Sequence, residues 1–317
     1  MRIHFISTIN GSENEGMRNV ATHLAKCLEE KHKVVYSSLK DIMSIIINSK
    51  KSDLTVICVR LNAKTYYIAK LARTLCKKVY IIAVQRPQAD FLKKIKRKPL
   101  RCEYFTITSD DKESLKAIEG TVVRKLYIGI NKEKFSPVSE KTAEGLRKKY
   151  GFLPDKPLVI HVGHCSEGRG LEDFSVINKE EYSTLIIASG MFESQHVISY
   201  LKKAGVNIRT GYLSEINEIY QMADCYLFPT RSSEYVISIP LSAMEALSCG
   251  VPVVAYDCFG GIKEIQVKEN AVIYVSKADE IPLAIKKALT GKSEKSLLLN
   301  PKSWSEAAED FIGHFGE

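Results

Sequence analysis

The chain has 317 residues, which suits two ordinary domains of about 150 residues each. With 45% hydrophobic and 26% charged residues it is an ordinary globular composition, which excludes a disordered chain, a collagen-like repeat and a coiled coil. The net charge of +9 is lopsided: residues 1–137 hold 27 Lys and Arg against 13 Asp and Glu, the rest is net acidic, and an anionic partner is expected for the first half.

In chain order, residues 2–7 form an apolar strand, too short for a signal peptide and without a cleavage site behind it, so no leader is expected. A polar loop over 8–15 and a helix over 16–30 follow, the helix placing Val20, Leu24, Ala25 and Leu28 on one face. Strands are predicted over 33–37, 54–60, 78–84, 104–108 and 122–127, with helices over 41–48, 63–76 and 111–119 between them. The basic run 93–101 reads as a solvated or surface-binding stretch. A polar helix over 140–150 separates this half from a second series of strands over 157–163, 183–188, 207–209, 223–229, 251–256 and 271–275. Helices over 238–249, 277–289 and 303–314 complete the chain. Continuous apolar strands alternating with helices imply parallel sheets covered on both faces. The predicted fold class is α/β, two tandem doubly wound Rossmann-like domains. The expected divisions are residues 1–137, residues 138–300 and a final helix within 301–317. Ligands of such sheets bind outside the carboxyl ends of the strands, so a cleft between the domains is expected.

The longest apolar runs, such as 42–47, are core-sized and fall short of the roughly 18 residues a membrane span needs. Eight cysteines lie singly, none at CxxC spacing, so no zinc site is expected and they read as reduced thiols of a cytoplasmic protein.

The most informative stretch is 238–261, SIPLSAMEALSCGVPVVAYDCFGG. Ser238 is a candidate N-cap, Pro240 fits a first helical turn and Gly250 a helix end. Glu245 is a carboxylate in an otherwise apolar or small-residue helix, suited to accepting hydrogen bonds from the two hydroxyls of a ribose. The amides at that helix start, beside Leu241 and Ser242, suit a phosphate. Further on the list of candidates are Gly163, His164 and Arg169 in LVIHVGHCSEGRG, Gly16 opening the first helix, and Tyr212 after a turn glycine.

This stretch resembles the donor-binding signature of family-4 retaining glycosyltransferases of the GT-B fold, E-x-F-G-x-P-x-x-E-A-M-A-C-G-x-P-V-V-A, followed by Gly-Gly and a Glu, here Glu264. Residues 126–131 with Phe135 and Pro137 resemble the family linker, 158–170 its strand and phosphate loop, and 210–212 and 220–229 its later turns. The resemblance implies that Glu245 holds the ribose and that Arg169 and His164 take the catalytic role on the diphosphate. It implies that Gly163, Gly16, Ser242, Leu241 and Tyr212 line the donor. Several positions depart from the pattern: Pro240 lies five residues before Glu245 and not three, Glu234 lies eleven before it and out of register, and Arg169 stands where the family has Lys. The family's first glutamate falls on Ile237, and its phosphate-loop arginine falls on His164, which is charged only in part near neutrality.

The resemblance implies transfer, with retention, from a nucleotide-diphosphate sugar bound by residues 138–300 to an acceptor bound by residues 1–137. That acceptor would be a sugar, a lipid-linked acceptor or a polysaccharide precursor, and the helix in 301–317 would pack back toward the first domain. The nucleotide-sugar is a substrate, so no cofactor is expected, and without a D-x-D no metal is required. The basic residues Lys93, Lys94, Lys96, Arg97 and Lys98 would meet an anionic membrane surface or the acceptor. No nucleic-acid motif accompanies them, and no nucleic-acid partner is expected. The expected location is the cytoplasm, peripheral at the inner face of the membrane. Three alternatives stay open. One is a degenerate protein of this fold that binds nucleotide or sugar without turnover. Another is a different enzyme of the fold, such as a nucleotide-sugar epimerase or a phosphorylase. The last is a basic surface adaptor.

Overall fold

The computed structural model describes residues 1–8, 16–290 and 296–316. The chain divides into two compact units, Met1–Gly129 with Ile237–Ile239 and Lys302–Glu317, and Ile130–Val236 with Pro240–Pro301. The first boundary therefore falls at Gly129 and not at 137. The reason is visible in the linker: Phe135 sits edge-on to Tyr220 at 5.8 Å, and Gln221 Nε2 donates to Ser136 O at 3.1 Å, both within the second unit.

In the first unit, β1 (Arg2–Ser7), β2 (Lys33–Ser37), β3 (Leu54–Cys58), β4 (Lys78–Ala83), β5 (Glu103–Thr106) and β6 (Val122–Lys125) form one parallel sheet, ordered β2-β1-β3-β4-β5-β6. Its connections are α1 (Gly16–Lys31), α2 (Ile42–Lys50), α3 (Ala63–Leu75), α4 (Ala89–Arg97) and α5 (Ser109–Lys116). Right-handed crossovers put α1 on one face and α2 to α5 on the other. Side chains start several of these helices: Asp41 accepts from the Ser44 amide, Asn62 from Thr65 and Thr108 from Asp111. The middle of the sheet is largely apolar; its buried polar side chains are Thr55, Thr106 and His4. The His4 ring nitrogens lie 2.9 Å from Ser49 Oγ and 2.9 Å from Ser37 Oγ, which satisfies both.

In the second unit, α6 (Glu140–Tyr150) precedes β7 (Leu158–Gly163), β8 (Ser183–Ala188), β9 (Asn207–Thr210), β10 (Cys225–Phe228), β11 (Val253–Tyr256) and β12 (Val272–Val275). These form a second parallel sheet, ordered β12-β11-β10-β7-β8-β9. The connecting helices are α7 (Gln195–Lys203), α8 (Ile216–Met222), α9 (Leu241–Ser248), α10 (Gly260–Lys263) and α11 (Ile281–Leu289). The connection after β7 is a single 3-10 stretch, Leu171–Val176. Last comes α12 (Trp304–Ile312), which belongs to the first unit and packs on α1. A Ser303–Glu306 capping box opens it, and the Trp304 ring stacks on His23 at 4.7 Å and 9°.

Four helices go beyond the sequence reading: α4, α7, α8 and the short α10. In α4 only Phe91 and Ile95 are buried, and the basic residues around them hide the period. One expectation is corrected. Helix α9 begins at Leu241 with Pro240 as its N-cap, not at Ser238. Ser238 is engaged elsewhere, in the first unit, where its hydroxyl donates to Asp111 Oδ2 at 2.6 Å and its amide to Val84 O at 3.0 Å.

Candidate functional site

The order of the second sheet reverses between β7 and β10, and the crevice beyond the carboxyl ends of those two strands is where a doubly wound sheet holds a ligand. The segment leaving β7 there carries Gly163, His164 and Arg169. Two glycines with positive φ, Gly168 at 79° and Gly170 at 70°, turn the chain on either side of Arg169. A Cβ on Gly170 would collide with the Pro229 carbonyl, so the loop lies directly on the end of β10. Thr230 Oγ1 ties it down by donating to Arg169 O at 3.2 Å.

Arg169 is not the surface residue its polar neighbours suggest; it is 4% exposed. Its guanidinium enters because Gly163 has no side chain: a Cβ there would stand 2.9 Å from Arg169 Nη2 and 3.1 Å from His161 Nε2. Burial lowers the pKa of Arg169, yet a guanidinium keeps its charge in a protein. The result is a buried permanent cation at the switch point.

An aromatic layer runs from this cation to α9. The His161 ring stacks on Tyr226 at 5.6 Å and 26°, and Tyr226 lies 6.1 Å from Tyr220. The Tyr226 hydroxyl is 2.8 Å from Ser242 Oγ and 3.2 Å from Val162 O. The Tyr220 hydroxyl donates to Glu245 Oε2 at 2.8 Å. Ser242 and Glu245 are three apart on α9, so one face of that helix meets both tyrosines. Glu245 is half-buried, and burial raises its pKa to about 7 against the pull of the Tyr220 hydroxyl and of Lys134. Its charge is therefore in balance near neutrality. Burial keeps both tyrosines protonated, Tyr226 with a pKa of about 12.

The other sequence candidates are placed as follows. His164 Nδ1 lies 2.6 Å from Ser189 Oγ. Burial, then the neighbouring Arg169, lowers its pKa to about 4, which favours the neutral ring at pH 7. Leu241 is buried at the first position of α9. Tyr212 is exposed beyond the end of β9, apart from the Tyr226 layer. Gly16 opens α1 in the first unit, where a Cβ would come within 3.0 Å of Ile237 Cδ1. Most of the loop expected at 8–15 lies outside the described residues. Sequence reasoning missed His161, Tyr220 and Tyr226. The signal for the first was an unneeded polar residue in the apolar strand LVIHVG.

The basic candidates sit on α4 and just beyond it. Lys93, Lys96, Arg97 and Lys98 are exposed, and Lys94 Nζ donates to Tyr67 OH at 3.0 Å while lying over that ring. Helices α2, α3 and α4 pack side by side, and α2 exposes Ile42, Met43 and Ile47. Among the described residues no group of three or more His, Cys, Asp or Glu could hold a metal ion, and no helix is long and apolar enough to cross a membrane.

The family model described as "Glycosyl transferases group 1" matches residues 159–290. The chain is 27% identical over 143 residues to N,N'-diacetylbacillosaminyl-diphospho-undecaprenol alpha-1,3-N-acetylgalactosaminyltransferase of Campylobacter jejuni, covering 44% of this chain and 37% of that protein. It is 31% identical over 139 residues to sulfoquinovosyl transferase SQD2 of Arabidopsis thaliana, covering 43% of this chain and 26% of that one. The chain thus spans less than half the length of these curated relatives. Anabaena HepE, solved in complex with UDP and glucose, superposes with a TM-score of 0.80 at 11% identity over 99% of both chains. The likeness to the glycosyl transferases group 1 model thus lies within the second unit, and the chain has the two-domain α/β fold of solved GT-B glycosyltransferase structures.

Proposed function

We propose that the protein is a retaining glycosyltransferase that moves a sugar from a nucleoside-diphosphate sugar to a sugar or lipid-linked acceptor without a metal. The observation that carries this reading is the buried Arg169 cation at the switch point, joined through one aromatic layer to the carboxylate of Glu245. Departure of the sugar leaves a nucleoside diphosphate, so negative charge grows on the leaving group. A guanidinium already in place, away from water, stabilises that charge most where it is largest, in the transition state. Its fork matches two phosphate oxygens. Neutral His164 adds a hydrogen bond without adding charge. Glu245 accepts from the ribose hydroxyls, and the amides opening α9 face the phosphates.

The relatives support the choice of ligands to test. The Campylobacter relative is named for a diphospho-undecaprenol acceptor, and HepE was solved with UDP. An acceptor in a membrane gives a use to α4, whose basic residues would each add about 1 kcal/mol near an anionic surface. In this reading the protein works at the inner face of the cell membrane.

One observation favours a second reading. Ile237, at the position of the family's first glutamate, is 8% exposed and offers the sugar no carboxylate. A binder without turnover would tolerate that. Thermal shift with UDP, GDP, ADP and their sugar conjugates tests both readings, since a ligand at 100 times its Kd stabilises by about 2.7 kcal/mol. A shift with one base, followed by transfer or donor hydrolysis that survives EDTA, supports the enzyme. A shift with neither transfer nor hydrolysis supports the binder, and no shift with any nucleotide overturns both.

A further inference from the structure

His161 is wholly buried on β7, two residues before Gly163. Its Nδ1 lies 3.0 Å from Leu227 O. A carbonyl only accepts, so Nδ1 carries the proton and Nε2 is a bare acceptor. The ring cannot turn this acceptor outward: it is stacked on Tyr226 and bounded by Phe174 at 6.5 Å and Phe228 at 6.4 Å. Nε2 is buried with no hydrogen-bond partner. It borders the same small space above Gly163 as Arg169 Nη2. A buried acceptor without a donor is costly unless another state of the protein uses it.

We propose that His161 is a positioning residue for Arg169: its Nε2 takes one guanidinium N–H when an anion is bound, which turns the opposite edge of the fork onto two phosphate oxygens. This rests on the reading of Arg169 as the cation of a diphosphate site. Burial and the Arg169 charge hold the imidazole pKa at about 3, so it stays an acceptor throughout the working pH range.

The test is His161→Phe, which keeps an aromatic ring among aromatic neighbours and removes the acceptor, with His161→Gln as the variant that retains one. Calorimetry would measure Kd for the preferred nucleoside diphosphate, for the corresponding nucleoside and for inorganic pyrophosphate. The expected result is that His161→Phe binds the diphosphate and pyrophosphate about tenfold more weakly and binds the nucleoside as wild type does. His161→Gln should recover most of the loss. Equal diphosphate affinity in wild type and His161→Phe, or parallel losses for diphosphate and nucleoside, would overturn the proposal while the donor-site reading stands. If wild type binds pyrophosphate but no nucleotide, the donor-site reading falls, and the effect of His161→Phe on pyrophosphate still decides the proposal. If wild type binds neither, both fall. Should His161→Phe not fold, Gly163→Ala replaces it: its Cβ enters the space shared by Nε2 and Nη2, and the same selective loss is expected.

Discussion

At the scale of single residues the site is a set of groups whose charge is set by burial. Glu245 was legible because a carboxylate in an apolar helix needs a reason. Arg169 was legible as a cation, but not as a buried one, since a polar loop in a sequence does not reveal the glycine that admits a guanidinium. Replacing Glu245 by Ala should weaken nucleotide binding by about 1–3 kcal/mol with the fold intact, measured by calorimetry. Because its pKa is about 7 and ribose hydroxyls favour the ionised form, nucleotide affinity should fall as pH drops from 8 to 6, and Glu245→Gln should flatten that profile. The same burial penalises the charge in the free protein. Glu245→Gln should therefore raise the melting point at pH 8, where the unfolded carboxyl is fully ionised, and lose that advantage near pH 4. His4 behaves in the opposite sense. Burial and then Arg2 lower its pKa to about 4, so the neutral form stabilises the fold above the unfolded value of 6.5. As pH falls from there to 4, up to about 3 kcal/mol should be lost, a decline that His4→Gln would reduce in pH-dependent urea melts.

Elements show how the groups are held. Strand periodicity made nearly every strand readable, because a buried parallel strand is a continuous apolar run such as LTVIC in β3. Short helices were less readable. Only two buried residues in α4 mark its inner face, and the α9 start was hidden because Ser238, a good cap by type, is bonded to Asp111 more than a hundred residues away in sequence. The aromatic layer was unreadable for a similar reason. Tyr220 and Tyr226 look like ordinary core residues until β10 and α8 bring their hydroxyls to α9. The β7 loop is the element most sensitive to change. Gly170→Ala combines a left-handed backbone with a clash against the Pro229 carbonyl, and should destabilise the second unit by about 2 kcal/mol or more in urea melts. It should also abolish the thermal response to nucleotide, since Arg169 is the adjacent residue.

For the whole molecule, the charge asymmetry visible in the sequence has a structural location. Five of its basic residues lie on α4 and just beyond it, in the layer of helices that also exposes Ile42, Met43 and Ile47 of α2. Neutralising Lys93, Lys94, Lys96, Arg97 and Lys98 together should greatly reduce sedimentation with anionic vesicles at low salt and leave nucleotide binding unchanged. Equal sedimentation of the variant would remove the membrane from the proposed function. The return of the chain end to the first unit has a practical side as well. Trp304 is the only tryptophan, and its indole lies flat on the His23 imidazole at the seam between α12 and α1. The protein thus carries its own optical reporter: undocking of the last helix would expose the indole to water and red-shift a single fluorophore, readable without a label.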